Sequence, residues 1–201
     1  MPATPGAVNP YHSLMAKHPD VLILGGGIIG LTAAYFLAKT GRTVEVLDRG
    51  ELGQEASWAG AGIIPPGNAR FAAAAVDKLR AVGSERFPGF TQELQRLTGL
   101  DSGYVRCGGV EILDEADLDL VAAWKAERIR FEQTGPARFE FPDLAQVRNP
   151  WHLRSLIAAC ERTGVRLRPH AHVTGWDALP AAGAYLVAAG AWSATFAPGL
   201  P

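Results

Sequence analysis

Read for the spacing of its apolar positions, the chain divides into runs of two periods punctuated by glycine and proline. Val21–Leu24 is a continuous apolar run that breaks into three consecutive glycines. Over Ile28–Lys39 apolar residues recur at helical intervals, with Leu31, Ala34, Tyr35 and Ala38 near one face and Gly41 as the stop. Residues 43–47 are alternating and apolar and end at Asp48. This order predicts one β-α-β unit. Residues 50–68, GELGQEASWAGAGIIPPGN, are dense in small residues and closed by Pro65 and Pro66, which predicts a loop without regular structure. Residues 71–97 carry helical spacing interrupted around 83–88, which predicts two consecutive helices with their Phe and Leu side chains in the core.

The second half reads as shorter pieces. YVRCGGVEILDE predicts two short strands or one bulged strand. Residues 116–131 predict a helix burying Leu118, Val121, Ala122 and Trp124, with Asp114 or Asp117 near its start. One strand is expected at 139–141. Asn149 is placed to cap a helix with Pro150 at its first position, running to Gly164. VRLRPHAHVTGW predicts a strand pair or one bent strand, and residues 185–188 a last strand leading into AAGAWS.

Composition narrows the function classes. With 201 residues, 48% of them hydrophobic, the chain can bury a sizeable core, enough for roughly one to one and a half domains. The formal net charge of -1 is made of interspersed charges, so no nucleic-acid or membrane-binding surface is indicated. Residues 1–19 hold three prolines before Tyr11 and no apolar core; they are expected to be a flexible arm, not a secretory leader. The run at Val21 is too short to span a bilayer. Cys107 and Cys160 fall in unrelated segments with no metal-ligand spacing, which suits a reducing cytoplasm, and both are expected as buried small residues.

The chemistry is concentrated at the first turn. Gly25, Gly27 and Gly30 form G-x-G-x-x-G after a strand and before a helix: the first serves the tight turn, the second the approach of backbone to a pyrophosphate, the third close packing of helix on strand. The helix beginning near Ile28 aims N–H groups and its positive dipole end at that phosphate. Asp48 follows about 20 residues later, where a carboxylate accepts the ribose hydroxyls of an adenosine. Arg49 comes next, so the sequence alone leaves a 2′-phosphate open. His170 and His172 would share one side of a strand, but no third ligand accompanies them and no metal site is assigned. His152, in the first turn of its helix, is expected to be exposed. Trp58 stands either as a wall of a cofactor site or as ordinary packing. No nucleophile elbow supports hydrolysis.

Taken together, VLILGGGIIGLTAAYFLAKTG and VEVLDRGELGQEASWAGAGII resemble the amino-terminal FAD-binding signature of the glycine oxidase and D-amino acid oxidase family. The resemblance implies an α/β fold: a Rossmann-like FAD-binding domain of the glutathione-reductase type with part of a second, mainly antiparallel substrate domain. Its division would be residues 20–100 with 145–197 for FAD and 101–144 for the partial substrate domain. It further implies Ile28 and Ile29 at the pyrophosphate turn and Asp48 and Arg49 at the ribose. Ala56 and Ser57 would meet the diphosphate and ribityl region, Ala61, Gly62 and Ile63 the isoalloxazine, and Val173 the adenine through its backbone.

The implied activity is oxidation of a small amine or amino acid, and the cysteine usage places the chain in the cytoplasm as an expectation. Family members continue beyond the point that corresponds to Pro201, so the chain is expected to be truncated. No catalytic residue is assigned: Arg106, Arg148 and Arg154 do not match the position that grips a substrate carboxylate and are expected as surface or capping charges. A non-catalytic module binding FAD or another dinucleotide is the alternative. A NAD-dependent dehydrogenase is disfavoured, because the EASWAGAGII loop has no counterpart after the second strand of a nicotinamide Rossmann domain. The oligomeric state is left open.

Overall fold

A computed structural model describes residues 18–114, 117 and 119–196. Most of the expected arm lies outside the described residues, as do Ala116 and Leu118. In chain order the elements are β1 (Val21–Leu24), α1 (Ile28–Lys39), β2 (Val44–Leu47), α2 (Ala56–Ala59), β3 (Ile63–Ile64), α3 (Ala75–Thr98), β4 (Val105–Arg106), β5 (Gly109–Ile112), α4 (Asp119–Glu127), β6 (Glu132–Gln133), β7 (Arg138–Phe141), β8 (Ala145–Gln146), α5 (Asn149–Arg162), β9 (Arg166–Arg168) and β10 (Ala184–Val187). Contacts divide the chain into two compact units, Met1–Gln54 with Thr163–Pro201, and Glu55–Arg162.

The first unit is built on a parallel sheet in the order β10-β1-β2-β9, in which Leu22 is level with both Glu45 and Tyr185. Leu22, Ile23 and Val46 are wholly buried, and α1 adds Leu31, Ala34 and Tyr35 to the core. Parallel strands are covered on both faces, which is why β1 and β2 read as apolar runs. Glu45 is the exception within β2. Its side chain is 8% exposed and is neutralised by Arg166 Nη2 at 2.7 Å and Arg168 Nη1 at 3.3 Å, two residues apart on β9 and therefore on one face.

The second unit pairs α3 with α5, where Leu94, Leu153, Leu156, Ala159 and Cys160 are buried. Two small sheets accompany them, in the orders β3-β8-β4 and β5-β7-β6, with antiparallel pairing throughout. On the second sheet, Trp124 of α4 meets Phe139 at 5.5 Å and Phe141 at 4.8 Å between ring centroids, both edge-on.

Several expectations are corrected. Residues 71–97 do not form two helices, because α3 runs unbroken through Gly83 and Pro88. Proline removes one intrahelical hydrogen bond, and burial of Ala81, Thr91, Leu94 and Thr98 along one side outweighs that loss. Leu79, expected in the core, is 74% exposed. The small-residue loop contains the single turn α2 and the strand β3, stitched to β8. The helix expected to reach Phe131 stops at Glu127, since Arg128 takes a left-handed conformation with φ 59°. Ala122 lies on its exposed side. After β9 no second strand forms, and His170 turns the chain at φ 57°.

Cys107 is exposed and Cys160 buried. Asn149 lies inside α5, and its amide donates to the Ser57 carbonyl at 3.2 Å. The start of α5 is instead held by the Arg148 carbonyl, which accepts from the N–H groups of Trp151 and His152.

Candidate functional site

The glycine turn lies where β1, β2 and β10 end together. Gly25 N–H donates to the Leu47 carbonyl at 2.8 Å, and Ala188 N–H donates to the Leu24 carbonyl at 2.8 Å. From β1 the chain crosses to β2 on one side, while β10 lies on the other. The turn thus sits at the topological switch point, outside the carboxyl ends of the strands, where open α/β sheets take ligands.

Two of the glycines are required by space. Gly25 has φ +106°, and a Cβ there would stand 2.3 Å from the Ala188 carbonyl oxygen. A Cβ on Gly30 would stand 1.9 Å from the Gly25 carbonyl oxygen, so α1 comes down on the turn only because residue 30 has no side chain. Gly27 is the last residue before α1, with no side chain capping that end and no acidic residue in the first turn. Ile28 opens the helix and Ile29 is 70% exposed. A helix end with no acidic residue in its own first turn and no capping side chain suits an anionic bridge such as a pyrophosphate.

Asp48 closes the opposite side. Its Oδ2 accepts from Gly26 N–H at 2.7 Å and its Oδ1 from Gly50 N–H at 2.8 Å. The carboxylate is fixed against the turn, and each oxygen keeps a lone pair for a ligand hydroxyl. These features fit the adenosine-pyrophosphate part of a dinucleotide. The Arg49 guanidinium lies over the ring of Trp192, 3.5 Å from its centroid. Val173 stands outside any strand and packs its partly buried side chain on Leu22, Leu24, Leu47 and Phe196.

The other site residues lie in the second unit. Ala56 and Ser57 begin α2; the Ser57 carbonyl receives the Asn149 amide. Gly62, at φ +72°, accepts a hydrogen bond from Val147 N–H at 2.8 Å through its carbonyl, and a Cβ there would meet the Val147 carbonyl oxygen at 2.0 Å. Ala61 and Ile63 are exposed, Ile63 at 61%. Trp58 is 40% exposed.

Residues 20–201 match the family of FAD dependent oxidoreductases named DAO. The chain belongs to that family. Among curated relatives of this FAD-dependent family, it is 32% identical over 204 aligned positions to glycine oxidase of Pseudomonas putida, an alignment spanning 87% of this chain and 56% of that one. Among solved structures, glycine oxidase from Geobacillus kaustophilus superposes with a TM-score of 0.77 at 25% identity, covering 89% of this chain and 57% of that one. Iminodiacetate oxidase from Chelativorans sp. BNC1 gives 0.67 at 28% identity, covering 88% and 57%. The chain spans a little over half the length of the relatives it matches.

His152, expected to be exposed, is 3% exposed. Its ring lies among Phe87, at 5.1 Å, and Phe90, at 5.7 Å; Nδ1 is 3.2 Å from Ser102 Oγ, and Nε2 has no partner. Burial lowers its pKa to about 4. The apolar positions that follow it, Leu153, Leu156, Ala159 and Cys160, carried the missed signal: residue 152 falls on the same face of α5.

His170 Nε2 lies 2.9 Å from Glu51 Oε1, and no group able to hold a metal ion occurs among the described residues. Arg106 pairs with Asp143 at 3.5 Å, Arg148 lies over Trp151, and Arg154 is exposed. No helix among the described residues is long and apolar enough to cross a membrane.

Proposed function

We propose that the chain binds FAD and contributes to oxidation of a small amine or amino acid, in the manner of a glycine oxidase or D-amino acid oxidase, in the cytoplasm. The observation that carries this reading is the fixed Asp48 carboxylate facing a glycine turn, in a chain of the FAD-dependent family. Gly25, Gly27 and Gly30, with Ile28 and Ile29, would hold the pyrophosphate on bare main chain and on the end of α1. Asp48, with Arg49 beside it, would take the ribose hydroxyls, and the Val173 backbone would serve the adenine. Ala56 and Ser57 would line the diphosphate and ribityl region, with Ala61, Gly62 and Ile63 at the ring system.

Residues 20–100 with 145–197 would form the FAD-binding domain, and 101–144 part of a substrate domain. When bound, FAD supplies a two-electron acceptor for cleavage of a substrate C–H bond next to nitrogen. This chain's residues supply binding and orientation, and none is assigned as catalytic.

The test is flavin absorbance in the purified protein together with titration of FAD, followed by peroxide release from glycine or D-amino acids. Absence of saturable FAD binding would sink the proposal. Tight binding without peroxide would instead mark a dinucleotide-binding module.

A further inference from the structure

We propose that Trp192 determines which adenine dinucleotides this site accepts: by holding the Arg49 guanidinium on its ring, it withholds a cation from the ribose 2′ position, so that a free 2′-hydroxyl is taken and a 2′-phosphate rejected. The inference rests on the dinucleotide reading of the preceding subsection.

Asp48 and Arg49 are adjacent, and their residue types point in opposite directions. A carboxylate after the second strand accepts the ribose hydroxyls, whereas a nearby arginine accommodates a 2′-phosphate. The structure decides between them. Asp48 is tied by two main-chain donors, Gly26 N–H and Gly50 N–H, one on each oxygen, so it stays where a 2′-phosphate would have to lie against it. A phosphate monoester brings between one and two further negative charges to that contact.

Arg49, adjacent to Asp48, is the cation suited to offset the repulsion, and its guanidinium is engaged 3.5 Å from the centre of the Trp192 ring. Trp192 belongs to the short helical turn Gly190–Thr195 that follows β10, and β10 and β2 flank β1 on opposite sides. The arginine is therefore drawn across the carboxyl end of β1. A planar guanidinium stacks well on an indole face, and a lone ammonium does so less well. Trp192 is 45% exposed, so its ring lies at the surface, where a bound ligand can reach it.

The experiment uses the whole chain and calorimetric titration with two probes, adenosine 5′-diphosphate and adenosine 2′,5′-bisphosphate, with FAD as a third ligand. The wild-type chain is expected to bind the diphosphate more tightly than the bisphosphate. Trp192→Ala should narrow that ratio about tenfold, the scale of a cation on an aromatic face, while FAD affinity moves much less. Trp192→Phe keeps a ring face and should retain the wild-type ratio. Trp192→Ala combined with Arg49→Met should restore the ratio, because no guanidinium is left to release.

An unchanged ratio in Trp192→Ala, or the same narrowing in the double variant, overturns the inference while leaving FAD binding standing. A wild-type chain that binds neither FAD nor the diphosphate overturns the underlying reading and the inference with it. Far-UV circular dichroism matching the wild type shows that each variant is folded.

Discussion

The two compact units treat polar side chains in opposite ways. In the sheet-centred unit, Asp48 and Arg49 stand at the strand ends, Arg49 exposed and Asp48 partly so, and the buried Glu45 is matched by two arginines. In the unit of residues 55–162, polar groups go into the packing between α3 and α5. His152 and Ser102 contact one another, and Thr98 Oγ1 lies 3.5 Å from Ser155 Oγ. The first arrangement leaves hydrogen-bonding capacity facing outward at one edge. The second consumes it inside and leaves His152 Nε2 without a partner. The contrast teaches that a site for a polar ligand is to be sought where strand ends hold their polar groups at the surface, not where polar residues are most buried.

The largest expected effect breaks the 55–162 unit alone. Phe139→Ala removes a wholly enclosed ring that meets Trp124 and Phe131, and should cost about 4 kcal/mol. Urea denaturation gives the magnitude. Hydrogen exchange should show protection lost first in β5 and β7, and equal loss in β1 and β2 would erase the contrast.

Next is Gly30→Ala, which forces a Cβ onto the Gly25 carbonyl and should cost about 3 kcal/mol. FAD titration of that variant should show binding lost, and retention of normal affinity would remove the turn from the site.

Acid should act on the buried histidine. Its folded pKa, about 4, lies below the unfolded value near 6.5, so the unfolded chain binds the extra proton. Stability present above pH 6.5 is therefore lost as pH falls toward 4, by up to about 3 kcal/mol. In His152→Phe the slope of stability against pH should flatten over that window, and an unaltered slope would contradict a neutral buried ring.

The smallest effect sharpens the other half of the contrast. Glu45→Gln leaves Arg166 and Arg168 unpaired but more than half exposed, so the loss should be about 1 kcal/mol in thermal denaturation.

The crossover from β1 to β2 was readable because every local signal there agrees. An apolar run, glycines, a helical period and a closing acid allow one arrangement, and its ends match the expected ones to within a residue. Residues 71–98 show the reverse case. Gly83 and Pro88 argue locally for a break, yet the helix continues because its buried side is satisfied by α5, a partner more than fifty residues away. Short strands such as β3, β4 and β8 were hard to read for a related reason. Two residues carry no period, and their pairing rests on contacts between distant segments.

By itself the sequence determined the parallel crossover, the glycine turn and the acid after the second strand, because each follows from backbone freedom and from spacing along one segment. It also carried the family, since the quoted motifs are local. Tertiary structure decided where the long side chains go. The engagement of Arg49 with Trp192 joins residues far apart in sequence, as does the enclosure of His152 by Phe87 and Phe90. The period of α5 put His152 on the buried face, but no local pattern names the partners met there, because those are brought to a residue by the folded chain.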